Sequence, residues 1–180
     1  MKKVIILLVL LLAISCATNT YDVQYDSEAS YMILHPEGDG TISESVGTLH
    51  DYIGQGNYVL LDFWSIGCKP CQPEIPKLVK LYDKYRQYGL VVLGVPFYVD
   101  AEDIKSFMQD CGITYDQVLD ASMSLQKSFS VHCIPLMILL GPDGEMIDFR
   151  SRSEDIERTI WKKLIKEKLI KEKLIDRRTK

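Results

Sequence analysis

Short apolar runs alternate with longer amphipathic stretches through the middle of the chain. Residues 58–64 and 90–95 are almost entirely apolar, which is typical of strands covered on both faces of a sheet. Between them, apolar and tyrosine side chains recur at helical spacing and predict a helix over 68–88, which Gly89 ends. A strand, a helix and a second strand in this order predict a right-handed crossover between two parallel strands.

The remaining pattern predicts shorter elements. Short strands are predicted over 31–34, 117–119, 136–140 and 145–149, and short helices over 101–110 and 121–129. Asp100 is placed to cap the helix that begins at residue 101. The turn sequence Gly-Pro-Asp-Gly at 141–144 joins the last two strands into a hairpin.

The C-terminal region contains a five-residue repeat built on Lys-Leu-Ile. The repeat spans residues 163–176, with acids earlier and bases later, a distribution that suits the helix dipole. A five-residue period turns by ~140° per repeat around a helix, so no single apolar stripe persists. Residues 161–180 are therefore predicted to form an extended, partly docked C-terminal helix. A helix that binds a membrane surface or a partner is the alternative, because lysines flank each Leu-Ile pair.

The N-terminus has the pattern of an export signal. Lysines at 2–3 precede an uncharged apolar stretch over 4–13, which is too short for a comfortable membrane span. Small residues then precede Cys16, so the segment resembles a bacterial lipobox, with Ala13 where leucine is usual.

We expect residues 1–15 to be a lipoprotein signal peptide, Cys16 to be lipidated, and 16–30 to be a polar tether. An uncleaved membrane anchor and plain secretion are the alternatives. Ala17 stands where an inner-membrane retention signal would place aspartate. By resemblance to such signals, the protein is expected in the cell envelope, on the periplasmic face of the outer membrane.

Composition sets bounds on the function. The chain has 180 residues, of which 47% are hydrophobic, enough for one ordinary domain with a core plus appendages. Its formal net charge of −4 gives no reason to expect nucleic acid as a partner.

The strongest candidate for chemistry is a pair of cysteines, Cys68 and Cys71, directly after the first apolar run. Thiol–disulfide exchange needs a nucleophilic thiolate and a second thiol that releases the mixed disulfide. A helix N-terminus would lower the pKa of Cys68, the nucleophile, and leave Cys71 more buried as the resolving thiol. A zinc site would need a second ligand pair, and Cys16, Cys111, Cys133 and the scattered histidines form none. A structural disulfide is the other alternative, although so small a loop stabilises little.

This region resembles the thioredoxin fold and, within it, the extracytoplasmic TlpA/ResA-like thiol–disulfide oxidoreductases. The matching features, in chain order, are the strand 58–64 with Asp62, then Cys68, Cys71, Glu74, Pro76, Ile134-Pro135, and the strand and turn 136–144. Gly67 stands where the family usually has tryptophan, and Ile134 where threonine or valine is common.

The resemblance implies a fold and a set of roles. It implies an α/β, thioredoxin-like fold over residues 31–160, with a central mixed β-sheet flanked by helices. Asp62 would be a buried base that accepts a proton from Cys71. Glu74 would tune the dithiol or relay protons, with an ordinary first-turn acid as the alternative. Pro76 would kink the active-site helix, and Pro135 would be a cis-proline facing the dithiol.

The same resemblance implies a surface that binds substrate proteins. We expect it to be formed by Trp64, Lys69, Pro70 and Ile134 beside Pro135. Lys69 adds positive charge that would favour the Cys68 thiolate.

The expected function is a membrane-anchored oxidoreductase that reduces or exchanges disulfides of exported proteins. It would take electrons from an upstream membrane donor and use no cofactor or metal besides the cysteine pair. A thiol peroxidase of the peroxiredoxin type, a disulfide isomerase and a non-enzymatic thioredoxin-like binding module are the alternatives. Cys111 and Cys133 are expected to be free and buried, with a bridge between them as the other outcome in an oxidising compartment.

Overall fold

The computed structural model describes residues 25–97 and 100–166, and its strands form one mixed sheet. The seven strands are β1 (Ser30–Pro36), β2 (Ile42–Thr48), β3 (Tyr58–Trp64), β4 (Leu90–Pro96), β5 (Gln117–Leu119), β6 (Leu136–Leu140) and β7 (Met146–Arg150). Their order across the sheet is β2-β1-β5-β4-β3-β6-β7. The signal peptide, Cys16 and most of the lysine-rich repeat lie outside the described residues, so those interpretations stay predictions.

Within the described residues, four α-helices flank the sheet. They are α1 (Ile75–Tyr85), α2 (Ala101–Cys111), α3 (Ser124–Ser128) and α4 (Ser153–Ile160), with 3-10 turns at Leu49–Asp51 and Arg86–Tyr88 and a π-helical segment at Trp161–Lys166. Among the described residues, none of these helices has the length and apolar content needed to cross a membrane.

β3 is the strand on which the site is built. It pairs in parallel with β4 and antiparallel with β6, and α1 provides the predicted crossover between β3 and β4. Because side chains alternate along a strand, Val59, Leu61 and Phe63 pack in one core with α3. Leu60 and Trp64 face the other core, which contains α1, α2 and α4. Asp62 lies between those two residues in sequence and shares their face.

The active-site helix begins later than predicted. The pattern predicted a helix over 68–88, but residues 68–74 form successive turns and α1 begins at Ile75. In a helix that began at Cys68, Pro73 would have no N–H to donate to the carbonyl of Lys69, so a regular helix cannot run through it. Pro76 lies in the first turn of α1, where the missing N–H is tolerated. Pro76 therefore lies at the junction between these turns and the regular helix, and its role in kinking the helix stays a prediction.

The strand β2 was not predicted from the sequence. Its residues are largely polar and exposed, because it is an edge strand that pairs only with β1 among the described residues. The helix predicted over 121–129 is shorter, since α3 begins where Asp120 accepts hydrogen bonds from the N–H groups of Ser124 and Leu125, both at 2.9 Å. The other predicted strands and the hairpin are confirmed, with small changes at their ends.

A C-terminal helix is present, and helical structure follows it through Trp161–Lys166, while the rest of the helix predicted over 161–180 lies outside the described residues. Ile156, Ile160 and Leu164 are buried against the core that contains α1, so α4 and the following π-helical segment are docked. Trp161 is 47% exposed.

Candidate active site

Cys68 and Cys71 form a disulfide between the end of β3 and the start of α1. Their Cα atoms are 5.3 Å apart. Cys71 is 1% exposed, whereas Cys68 is half-buried. A partner can therefore reach the sulfur of Cys68 but not that of Cys71, which is the asymmetry predicted from the sequence.

A backbone N–H, and not a helix terminus, lies next to the Cys68 sulfur. The Cys71 N–H donates to Cys68 Sγ at 3.2 Å. A hydrogen bond to the charged form of an acid favours that form, so this donor favours a thiolate at Cys68 once the disulfide is reduced. The predicted helix dipole acts from farther away, because α1 starts at Ile75.

Asp62 is a buried carboxyl on the β3 face that packs against the dithiol. It is 2% exposed, and its strand neighbours are Gly94 of β4 and Met137 of β6. The pKa of Asp62 is raised to about 7, because burial and, less strongly, the negative charge of Glu74 raise it more than a hydrogen bond from Tyr115 lowers it. A carboxyl group that titrates near neutral pH is suited to accept a proton from a thiol.

Glu74 is a buried acid that links the dithiol turn to α4. Its Oε2 accepts hydrogen bonds from the N–H of Ser153 at 2.7 Å and the hydroxyl of Ser153 at 2.6 Å. Lys77 Nζ lies 2.9 Å from Oε1. Burial raises the pKa of Glu74, but the hydrogen bonds from Ser153 and Lys77 outweigh it and lower the pKa overall. Glu74 is thus a fixed negative charge, which suits tuning of the dithiol better than proton relay.

Four predicted residues form the rim beside the disulfide. The Ile134–Pro135 peptide is cis, and Ile134 packs against the apolar cluster that includes Cys71. Lys69 and Pro70 are exposed, and Ile134 and Pro135 are half-buried. These residues are accessible to a partner; their roles in binding stay predictions.

The expectation that Trp64 contacts substrate is wrong. Trp64 is 1% exposed, its ring stacks on Phe107 at 5.0 Å, and its Nε1 donates to Gln117 Oε1 at 3.0 Å. A large aromatic residue at the end of a central strand is covered by α2 here. Trp64 therefore packs in the core beneath the site and does not form part of its accessible surface.

Cys111 and Cys133 are free, as expected, but both are exposed. The prediction that they are buried is wrong, because Cys111 ends α2 and Cys133 lies in the loop before β6. In the parts of the chain that the structure describes, no group of three histidine, cysteine or acidic side chains could hold a metal ion.

Two residues near the site were missed by sequence reasoning. Tyr115 donates its hydroxyl to Asp62 Oδ2 at 3.5 Å, and Ser153 holds Glu74. Both contacts join residues more than fifty positions apart, so no local pattern could have found them.

Comparison with known proteins identifies related sequences. Residues 37–149 match the sequence profile of the AhpC/TSA family. A thiol-disulfide oxidoreductase ResA from Geobacillus kaustophilus is 32% identical over 115 residues, which cover 62% of this chain and 65% of that protein. The alignment thus spans slightly less than two thirds of that relative. The ResA of Geobacillus thermodenitrificans is 27% identical over 164 residues, 88% of this chain and 92% of the relative.

A solved structure shows the same architecture. The thioredoxin domain of a thiol-disulfide oxidoreductase from Bacteroides vulgatus superposes with a TM-score of 0.59 at 26% identity, covering 78% of this chain and 99% of that one. The predicted thioredoxin-like fold and the resemblance to ResA-like proteins are confirmed.

Proposed function

The chain belongs to the AhpC/TSA family, and from this premise we propose that it is a ResA-like thiol–disulfide oxidoreductase acting through Cys68 and Cys71. One observation carries the proposal. The disulfide has one accessible and one buried sulfur, and it lies against the strand face that carries a buried acid titrating near neutral pH.

The proposed reaction begins with the reduced protein. The Cys68 thiolate attacks one sulfur of a partner disulfide and displaces the other sulfur of the partner as a thiolate. Asp62 takes the proton from Cys71, whose thiolate then attacks Cys68 Sγ in the mixed disulfide. This step restores the Cys68–Cys71 disulfide and releases the second thiolate of the partner. Two electrons pass to the partner, and a thiol donor returns them by the reverse exchange.

Insulin reduction with dithiothreitol as donor tests this function. The wild-type chain should accelerate the reaction, and Cys68→Ser should abolish the acceleration. Cys111→Ser is the matched control, because it removes an exposed free thiol elsewhere and should leave the rate unchanged. Activity that persists in Cys68→Ser would contradict the proposal.

Peroxide consumption and disulfide isomerisation by the same preparations separate the alternatives. A thiol peroxidase activates a single cysteine, whereas here the accessible sulfur is paired with a second cysteine three positions away. We therefore expect little peroxide consumption compared with insulin reduction. Rescue of a scrambled disulfide protein without net reduction would favour the isomerase alternative.

We also propose that the protein acts outside the cytoplasm as a lipoprotein. The support is the N-terminal sequence, in which an apolar stretch and small residues precede Cys16. Two or more acyl chains would anchor the protein stably, facing exported substrate proteins and a membrane electron donor. Fatty-acid labelling in a bacterial host should occur in the wild-type chain and in Cys111→Ser but not in Cys16→Ser. Labelling that survives Cys16→Ser would reject the anchor.

A further inference from the structure

Tyr115 is a fully buried tyrosine that reaches the proposed base from a different part of the chain. It lies just before β5 and is 1% exposed. Its hydroxyl donates to Asp62 Oδ2 at 3.5 Å, and the two residues are 53 positions apart in the sequence. Nothing in the proposed exchange reaction uses this contact.

The surrounding contacts hold the phenol ring in place. The ring packs edge-on against Tyr82 of α1, with ring centres 6.2 Å apart. Its backbone carbonyl accepts a hydrogen bond from Gln117 Nε2 at 3.1 Å. Gln117 in turn accepts from Trp64, which follows Asp62 on the same face of β3. The hydroxyl is therefore aimed at Asp62 by a connected set of buried side chains.

The Tyr115 hydroxyl is directed at a carboxyl group that is 2% exposed. A buried carboxylate without donors is costly. Within residues 25–97 and 100–166, the Tyr115 hydroxyl is the side-chain donor within hydrogen-bond reach of Asp62. Glu74 acts in the opposite direction, because its negative charge disfavours a second carboxylate nearby. Cys71 packs in the same core, and Tyr82 and Cys111 are further titratable groups that face Tyr115.

We propose that Tyr115 is a positioning residue for the exchange reaction, which stabilises the carboxylate of Asp62 and so determines when Asp62 can accept the proton of Cys71. The role of Asp62 as a base rests on the proposed function; the contact between Tyr115 and Asp62 does not. The tyrosine lets a deeply buried acid ionise near neutral pH despite the charge of Glu74.

The direct test is the titration of Asp62 in the oxidised chain, where Cys68 and Cys71 do not titrate. Carbon NMR of the Asp62 carboxyl should show a midpoint that Tyr115→Phe raises by about half to one pH unit, because a hydrogen bond to the carboxylate is lost. Tyr85→Phe is the matched control, since Tyr85 is also 1% exposed but donates to Glu157. It should leave the midpoint unchanged.

A second variant keeps the test decisive if Tyr115→Phe does not fold. Tyr115→meta-fluorotyrosine retains the hydroxyl and nearly the same volume, and its more acidic phenol is a stronger donor. It should lower the midpoint of Asp62. A midpoint that neither variant moves overturns the proposal.

The kinetic readout is the resolving step in single turnover. A mixed disulfide between Cys68 and thionitrobenzoate releases the coloured thiolate when Cys71 attacks. The pH dependence of this release rate should move to higher pH in Tyr115→Phe, by the same interval as the NMR midpoint. In Tyr85→Phe it should not change. A wild-type chain that releases no thiolate contradicts the proposed function, whereas an unmoved Asp62 midpoint contradicts the role of Tyr115.

Discussion

Cys68 and Cys71 share one bond but differ in their surroundings. The sulfur of Cys68 accepts the Cys71 N–H and is accessible, whereas Cys71 belongs to the apolar core. Apolar surroundings disfavour a thiolate, and a donor favours it. The two thiols of the reduced protein should therefore ionise at different pH values.

We predict that Cys68 has a pKa below the free-thiol value of about 8.5. Cys71→Ser removes the second thiol yet keeps the backbone N–H that donates to Cys68. The rate of Cys68 alkylation against pH in this variant, followed by peptide mass spectrometry, gives the pKa. The reciprocal variant Cys68→Ser should alkylate slowly at Cys71, and a faster, more acidic Cys71 would reverse the assignment.

Asp62 should lower stability as the pH rises. Its pKa is 3.8 in an exposed state and about 7 in the folded chain, so between these values the folded state holds a proton that the unfolded state has released. The contribution of Asp62 to the free energy of unfolding therefore falls as the pH rises from about 4 to about 7. Asp62→Asn does not titrate, so it should be more stable than the wild type above pH 7, by on the order of 4 kcal/mol.

Urea unfolding at pH 4 and pH 8 measures this difference. Asp103→Asn, on the exposed face of α2, is the control. Its free energy of unfolding should equal that of the wild type at both pH values. Asp62→Asn should also slow disulfide exchange at neutral pH while remaining folded. Turnover equal to the wild type would reject Asp62 as the base, whatever its effect on stability.

At the scale of elements, Glu74 and Ser153 join the dithiol turn to the C-terminal helix. Ser153 is the first residue of α4, and its N–H is one of the groups that a helix start leaves without a partner in the helix. Glu74 accepts that N–H, and Lys77 links Glu74 to Glu154 of the same helix, at 2.9 and 2.7 Å. The docking of α4 therefore helps to fix the turn that carries the disulfide.

Ser153→Ala should destabilise the chain by about 1–3 kcal/mol, because a buried hydrogen bond to a charged carboxylate is lost. Urea unfolding at pH 7 measures the change. Ser106→Ala is the control, since its hydroxyl bonds within α2 at the surface, and it should cost much less. Equal effects of the two substitutions would show that the link between Glu74 and Ser153 contributes little.

Elements with strong local patterns were predictable from the sequence. The apolar runs of β3 and β4 and the turn between β6 and β7 were found because each follows from burial or turn chemistry within a few residues. The start of α1 was placed seven residues too early, since the apolar stripe outweighed the spacing of Pro70 and Pro73. β2 was missed because a polar edge strand has little apolar pattern to detect.

The site residues also divide into those that the sequence predicts and those that depend on the folded structure. The cysteine pair, Asp62 and Ile134-Pro135 follow from spacing and from resemblance to a family. Tyr115 and Ser153 depend on contacts between distant segments, which only the folded chain reveals. Trp64 shows the reverse error, since its neighbourhood in sequence suggested a surface role that the packing of α2 excludes.

At the scale of the whole molecule, one sheet brings together parts of the site that are far apart in sequence. β3 provides Asp62, the loop after it provides the disulfide, and the loop before β6 provides Ile134 and Pro135. Since Trp64 is buried, the accessible rim is smaller than the sequence suggested and consists of Lys69, Pro70, Ile134 and Pro135.

The redox potential of the whole chain decides the direction in which electrons flow. The residues between the cysteines, Lys69 and Pro70, lack the histidine of strongly oxidising relatives, and the charge of Glu74 opposes further negative charge on the reduced dithiol. Lys69 acts the other way by favouring the Cys68 thiolate, but an exposed lysine is screened by solvent and contributes little. We therefore expect a redox potential closer to that of thioredoxin, about −270 mV, than to that of DsbA, about −120 mV.

Equilibration of the chain with glutathione buffers measures this potential, and Lys69→Gln should shift it slightly to more negative values. A potential more positive than about −180 mV, the region of the isomerases, would contradict a reductase and favour an isomerase or an oxidase.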